Sequence, residues 1–140
     1  MRHNKLSILV HLVWTTWDRL PLITPEIERT LHRQLETNAI NQGCRIVALN
    51  GVTDHVHLLL EMPPMLIIST LVKNLKGVSS HFVNENLKPQ PSFKWQASYS
   101  VFTVSRWDVD KVAQYIHHQK EHHEGDAVID ALEMPESASE

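Results

Sequence analysis

Residues 54–60 alternate in a way that only an extended strand makes sense of. In Asp54-His55-Val56-His57-Leu58-Leu59-Leu60, Val56, Leu58 and Leu60 fall on one face, while His55 and His57 fall side by side on the other. The apolar face predicts helices packed on one side of a sheet. The pattern elsewhere supplies the other elements. Lys5 to Thr16 is rich in Leu, Ile, Val and Trp and predicts a first strand. Thr24-Pro25-Glu26 reads as an N-cap with proline at the first helical position, and Ile27, Leu31, Leu35 and Ile40 recur at near-helical spacing up to Gly43. Cys44 to Asn50 predicts a second strand, joined by a turn around Gly51 to the histidine strand, His55 to Glu61. Beyond Pro63 and Pro64, Leu66 to about Leu87 predicts a second helix and Ser98 to Val104 a fourth strand. Asp108 is placed to cap a last helix running to about His123.

The order β-α-β-β-α-β plus a terminal helix predicts an α+β, ferredoxin-like split βαβ fold, an antiparallel sheet with two helices on one face and the other face free. One domain over 1–125 and an acidic, disordered tail over 126–140 are expected. The formal charge of −3 hides an asymmetry. Seven carboxylates and no Lys or Arg follow from Glu121 onward, so the first 120 residues carry a surplus of four positive charges. That surplus is compatible with phosphate binding. No apolar run is long enough to span a bilayer, and no signal-peptide cleavage pattern follows the basic start. The lone Cys44 excludes an internal disulfide framework and a cysteine zinc site, and makes a reducing, cytoplasmic setting the default.

Two neutral imidazoles on one strand face can bind one divalent ion. The last helix holds Tyr115 and Gln119 four residues apart, on one helical face. Tyrosine is a nucleophile able to form covalent intermediates, and an amide oxygen is a hard ligand suited to Mg²⁺ or Mn²⁺. Taken alone, this helix reads more simply as a tyrosine ring packed on the sheet with Gln119 exposed. His118 and His122, also four apart, have zinc-ligand spacing but lack a third partner.

Together these segments resemble a known family. His55-Val56-His57 is similar to the histidine–hydrophobic–histidine signature of HUH endonucleases, and Tyr115-Ile116-His117-His118-Gln119 resembles the tyrosine-to-glutamine helix motif of the small single-tyrosine HUH transposases, including the REP-associated branch. His11-Leu12-Val13-Trp14-Thr15-Thr16, Lys73 to Ser80 and Trp95 to Tyr99 resemble further stretches of that family, in order, across residues 5 to 123. The familiar asparagine before the glutamine is His118 here, and the chain ends soon after this helix.

The resemblance implies a metal-dependent single-stranded DNA transposase. His55, His57 and Gln119 would hold Mg²⁺ or Mn²⁺, and Tyr115 would form a 5′-phosphotyrosine. It also implies recognition of DNA hairpins and a homodimer with active sites shared between subunits, each tyrosine serving the partner's histidines. Arg45, Lys73 and Lys76 are candidate phosphate contacts, and Trp95 is a candidate base-stacking residue. Three alternatives compete: a ferredoxin-like module binding single-stranded DNA or RNA without catalysis, a two-histidine phosphodiesterase, and a domesticated copy that only binds. The second would want another histidine strand motif, and none is present.

Overall fold

The structure, a computed structural model, describes residues 5–124. The acidic tail expected at 126–140 lies outside them, as does the side chain of His122. The elements are β1 (Leu9–Thr15), α1 (Pro25–Asn41), β2 (Arg45–Val52), β3 (His55–Glu61), α2 (Ile68–Leu87), β4 (Ser100–Val104), α3 (Val109–His117) and α4 (Gln119–Glu124), with a 3-10 turn at Trp17–Arg19. The four strands form one antiparallel sheet in the order β2-β3-β1-β4. This is the expected split βαβ arrangement, in which each crossover helix leaves room for one strand between the two it joins.

The central strands are buried on both faces, which is why β1 reads as a nearly unbroken apolar run. β1 and β3 pair with Val13 opposite His57, Thr15 opposite His55 and His11 opposite Leu59. Directly opposed residues share a face. Leu12, Trp14, Val56, Leu58 and Leu60 therefore point to α1 and α2, where they meet Leu31, Leu35, Leu71 and Leu75. Each such leucine, fully buried, contributes about 1.5–3 kcal/mol. His11, His55, His57 and Leu59 point the other way.

That second face differs from expectation. It is not free: Ala113, Tyr115 and Ile116 of α3 pack on Ala48 and Leu59, making a second, smaller apolar cluster. The last helix is also interrupted. His118, at φ −100° and ψ 23°, ends α3, and its backbone N–H donates to the carbonyls of Gln114 and Ile116 before α4 begins. Asp108 and Thr24 precede their helices without a side-chain capping bond; the carbonyl of Thr24 accepts from Ile27 and Glu28 instead. The β2–β3 turn lies at Thr53 and Asp54, with Gly51 inside β2. A Cβ on Gly51 would stand 2.4 Å from the carbonyl oxygen of His55, so only glycine lets the two strands approach there. Gly43 adopts φ +91°, the left-handed conformation that ends α1.

The segment before β4 is tied down by Lys76. Its ammonium donates to the carbonyls of Gln96 at 2.6 Å and Ser98 at 2.9 Å. Burial pushes its pKa from 10.5 down to about 8. The folded chain therefore releases this proton at lower pH than the unfolded chain does. Between about pH 8 and 10.5 the unfolded state binds more protons, so stability rises with pH in that window. Urea unfolding at stepped pH should show this rise in the wild type relative to Lys76→Met. Parallel pH profiles for the two proteins would contradict it.

Candidate active site

β3 presents His55 and His57 on the face turned to α3, their ring centroids 5.1 Å apart. Both are buried. Each has its Nδ1 engaged by a neighbour. His55 Nδ1 lies 2.7 Å from a carboxylate oxygen of Asp54, and His57 Nδ1 lies 2.8 Å from Nε2 of His11 on β1. The Asp54 carboxylate can only accept, so His55 carries its proton on Nδ1 and leaves Nε2 unprotonated, the state a metal ligand requires, whereas between His57 and His11 either ring can donate.

α3 brings Tyr115 over the same face. Its ring stands edge-on to that of His57, with centroids 6.0 Å apart and an interplanar angle of 79°. Gln119, the first residue of α4, is fully buried despite its polarity. Among the described residues there is no group of three or more His, Cys, Asp or Glu side chains that could hold a metal ion. A third ligand from the protein would be of another type, and the buried Gln119 amide on α4 is a side chain of that kind. Two imidazoles and one amide oxygen fit a hard divalent ion such as Mg²⁺ or Mn²⁺ completed by water or phosphate oxygens.

Two anchors fix the junction of α3 and α4 on β2. The Asn50 side chain donates to the carbonyl of His117 at 3.0 Å. Lys120 donates to the Asn50 side-chain oxygen and the Gly51 carbonyl, both at 3.1 Å, and pairs with Glu28 of α1 at 2.9 Å. Gln119 sits between these anchored neighbours. Single-residue patterns could not reveal this, because the partners come from α1 and β2. His11 was also missed: it lies in a strand buried on both faces, where no alternation singles it out.

The residues expected on DNA separate. Lys73 is exposed on α2. Arg45 is exposed and pairs with Glu61 at 3.3 Å. Lys76 is committed to two backbone carbonyls, so its ammonium serves the fold. Trp95 is buried against Trp14 and Phe93 and donates its indole N–H to Ser79, which removes it from base stacking. The surface tryptophans are Trp17, whose ring carries the Lys94 ammonium at 3.9 Å from its centroid, and Trp107.

Comparison with known proteins bears on this geometry. The model for IS200-like transposases matches residues 4–119. The chain belongs to that family. It is 32% identical over 117 residues to the ISDra2 transposase TnpA of Deinococcus radiodurans, covering 78% of this chain and 81% of that protein. It is 29% identical over 126 residues to the transposase for insertion sequence element IS200 of Salmonella typhimurium, covering 86% of this chain and 82% of its relative. A crystal structure of a Deinococcus radiodurans protein described as a transposase superposes with a TM-score of 0.68 at 33% identity, over 85% of this chain and 95% of the other. The REP-associated tyrosine transposase bound to a REP hairpin superposes with a TM-score of 0.65 over 91% of this chain and 74% of the other. At 13% identity that likeness is one of fold. In this IS200-like transposase the non-catalytic, open-sheet alternative is not favoured, because α3 occupies the face such a module would use. No helix among the described residues is long and apolar enough to cross a membrane.

The anchors predict a measurable coupling. Asn50→Ala removes one hydrogen bond to the α3 terminus and one to Lys120, a loss of about 0.5–1.5 kcal/mol each. Amide exchange at Gln119 and Lys120 should accelerate while β1 and β3 stay protected. Unchanged exchange there would mean that the junction is held by packing alone.

Proposed function

We propose that this chain is a metal-dependent transposase that cleaves and rejoins single-stranded DNA through a 5′-phosphotyrosine at Tyr115. The observation that carries this reading is the edge-on approach of Tyr115 to His57, one of two histidines whose Nδ1 atoms are already engaged. His55, His57 and Gln119 would hold the Mg²⁺ or Mn²⁺, which when bound supplies charge neutralisation at the scissile phosphate. The chain's own part is geometric. β3 fixes the two imidazoles, α3 brings the tyrosine to His57, and the α3–α4 junction, held by Asn50 and Lys120, would carry Gln119 to the same ion. The Tyr115 hydroxyl oxygen attacks phosphorus, the bond to the 3′-oxygen breaks, and the phenol's proton is balanced by the one taken up by the leaving 3′-hydroxyl. Phosphodiester energy is kept in the phosphotyrosine, so another 3′-hydroxyl can reverse the step and join new ends without a nucleotide cofactor.

Hairpin-bearing single strands are the substrate this reading implies, in keeping with the hairpin bound by the REP-associated relative. Exposed Lys73 and Arg45 suit backbone phosphates. A homodimer belongs to the same proposal. β4 is an edge strand with Val101 exposed, and Trp107 beyond it is 81% exposed, the kind of apolar surface that marks an interface.

Tyr115→Phe should abolish the covalent protein–DNA adduct on denaturing gels yet leave binding of hairpin DNA within about twofold, because only the hydroxyl is lost. An adduct that persists in this variant would move the nucleophile elsewhere, with Tyr99 the next candidate. Mixing Tyr115→Phe with His57→Ala chains tests whose tyrosine is used. Heterodimers should stay inactive when each chain uses its own helix. Recovered cleavage would show that subunits exchange helices.

A further inference from the structure

We propose that His11 is a positioning residue that holds His57 in the one tautomer able to bind a divalent ion. The proposal rests on the reading of His57 as a metal ligand. His11 belongs to β1, 46 residues before His57 in sequence, and the two rings are fully buried. They stack with centroids 5.0 Å apart and an interplanar angle of 28°, and Nε2 of His11 lies 2.8 Å from Nδ1 of His57. Phe102 of β4 closes on the other side of His11 with a ring distance of 5.8 Å. The bond therefore ties the two central strands through their side chains on the active-site face.

A hydrogen bond between two neutral imidazoles has only two forms, since each ring carries one N–H and one lone pair. In one, His11 donates from Nε2 to Nδ1 of His57. The proton of His57 is then on Nε2, and the ring has no lone pair left for an ion. In the other, His57 donates from Nδ1 to Nε2 of His11, and its own Nε2 is left unprotonated. Only the second form makes His57 a ligand. The Nδ1–H form of His57 needs an acceptor opposite that nitrogen, and His11 Nε2 at 2.8 Å fills the role when the proton of His11 is on its own Nδ1. His55 has the Asp54 carboxylate in the same role at 2.7 Å. The two histidines are thus oriented by chemically different partners, one anionic and one neutral. A neutral acceptor buried in a strand core carries no unpaired charge.

The test combines tautomer and metal readouts on the full-length protein. Imidazole nitrogen shifts are recorded by NMR without metal at mildly alkaline pH, where histidines are neutral. Mn²⁺ affinity is measured by electron paramagnetic resonance. The variants are His11→Phe, which fills the space but accepts nothing, and His11→Gln, whose amide oxygen can stand near the Nε2 position. His57→Ala marks loss of the ligand itself. The wild type should show His57 protonated on Nδ1. His11→Phe should move that proton to Nε2 and weaken Mn²⁺ binding by about 10–100-fold, the usual range for loss of a ligand's orienting partner, and His11→Gln should restore most of both. An Nε2–H signal from His57 in the wild type, unchanged Mn²⁺ affinity in His11→Phe, or no recovery in His11→Gln would overturn the role of His11. Equal Mn²⁺ affinity in the wild type and His57→Ala would instead overturn the metal reading of the site. The tautomer signals of the wild type and His11→Gln judge His11 even if His11→Phe does not fold.

Discussion

The pairing of β3 between β1 and β2 is the constraint from which the rest of the molecule follows. A strand has a side-chain period of two, so its register decides at once which residues enter the helix-packed core and which face α3. With Val13 opposite His57 and Thr15 opposite His55, Val56, Leu58 and Leu60 go to α1 and α2, and the histidines and Leu59 to the other side. A slip of one residue would put both imidazoles into the apolar core and the leucines under the tyrosine helix. The cost of that exchange, several buried side chains at about 1.5–3 kcal/mol each, is what makes the histidine face unambiguous.

The same register explains how the terminal helices find their place. Leu59 sits among the histidines on the α3 side and provides, with Ala48, the apolar patch on which Ala113 and Ile116 rest. Tyr115 is carried to His57 by that packing. The break at His118 separates α4 from α3, with Asn50, Gly51 and Glu28 holding the start of α4. Burial of Gln119 follows from these anchors together. Packing on β3, and the Asn50 bond to the end of α3, place Tyr115; polar bonds to β2 and α1 hold the start of α4, where Gln119 lies.

Much of this was legible in the sequence, and the exceptions have physical reasons. β3 was readable to its ends because one face is apolar and the other carries histidines. α1 was equally plain from its leucine spacing, its proline and Gly43. His11 was not, because β1 is buried on both sides and a polar residue there interrupts no pattern. The kink at His118 had no glycine or proline to announce it. Lys76 and Trp95 looked like nucleic-acid contacts by residue type. Their true partners, the carbonyls of Gln96 and Ser98 and the rings of Trp14 and Phe93, are brought to them only by tertiary structure. The free sheet face inferred from the element order was wrong for a related reason: a helix at the end of the chain folds back onto it.

The central claim is that β3 and the α3–α4 junction build one ion site beside the tyrosine. Anomalous diffraction at the manganese edge, from crystals grown with Mn²⁺, tests it most directly. The account predicts a single strong peak within about 2.0–2.3 Å of the two histidine Nε2 atoms and the Gln119 side-chain oxygen, next to the Tyr115 hydroxyl. A peak ligated by other residues, or none between His55 and His57 at saturating Mn²⁺, would contradict it.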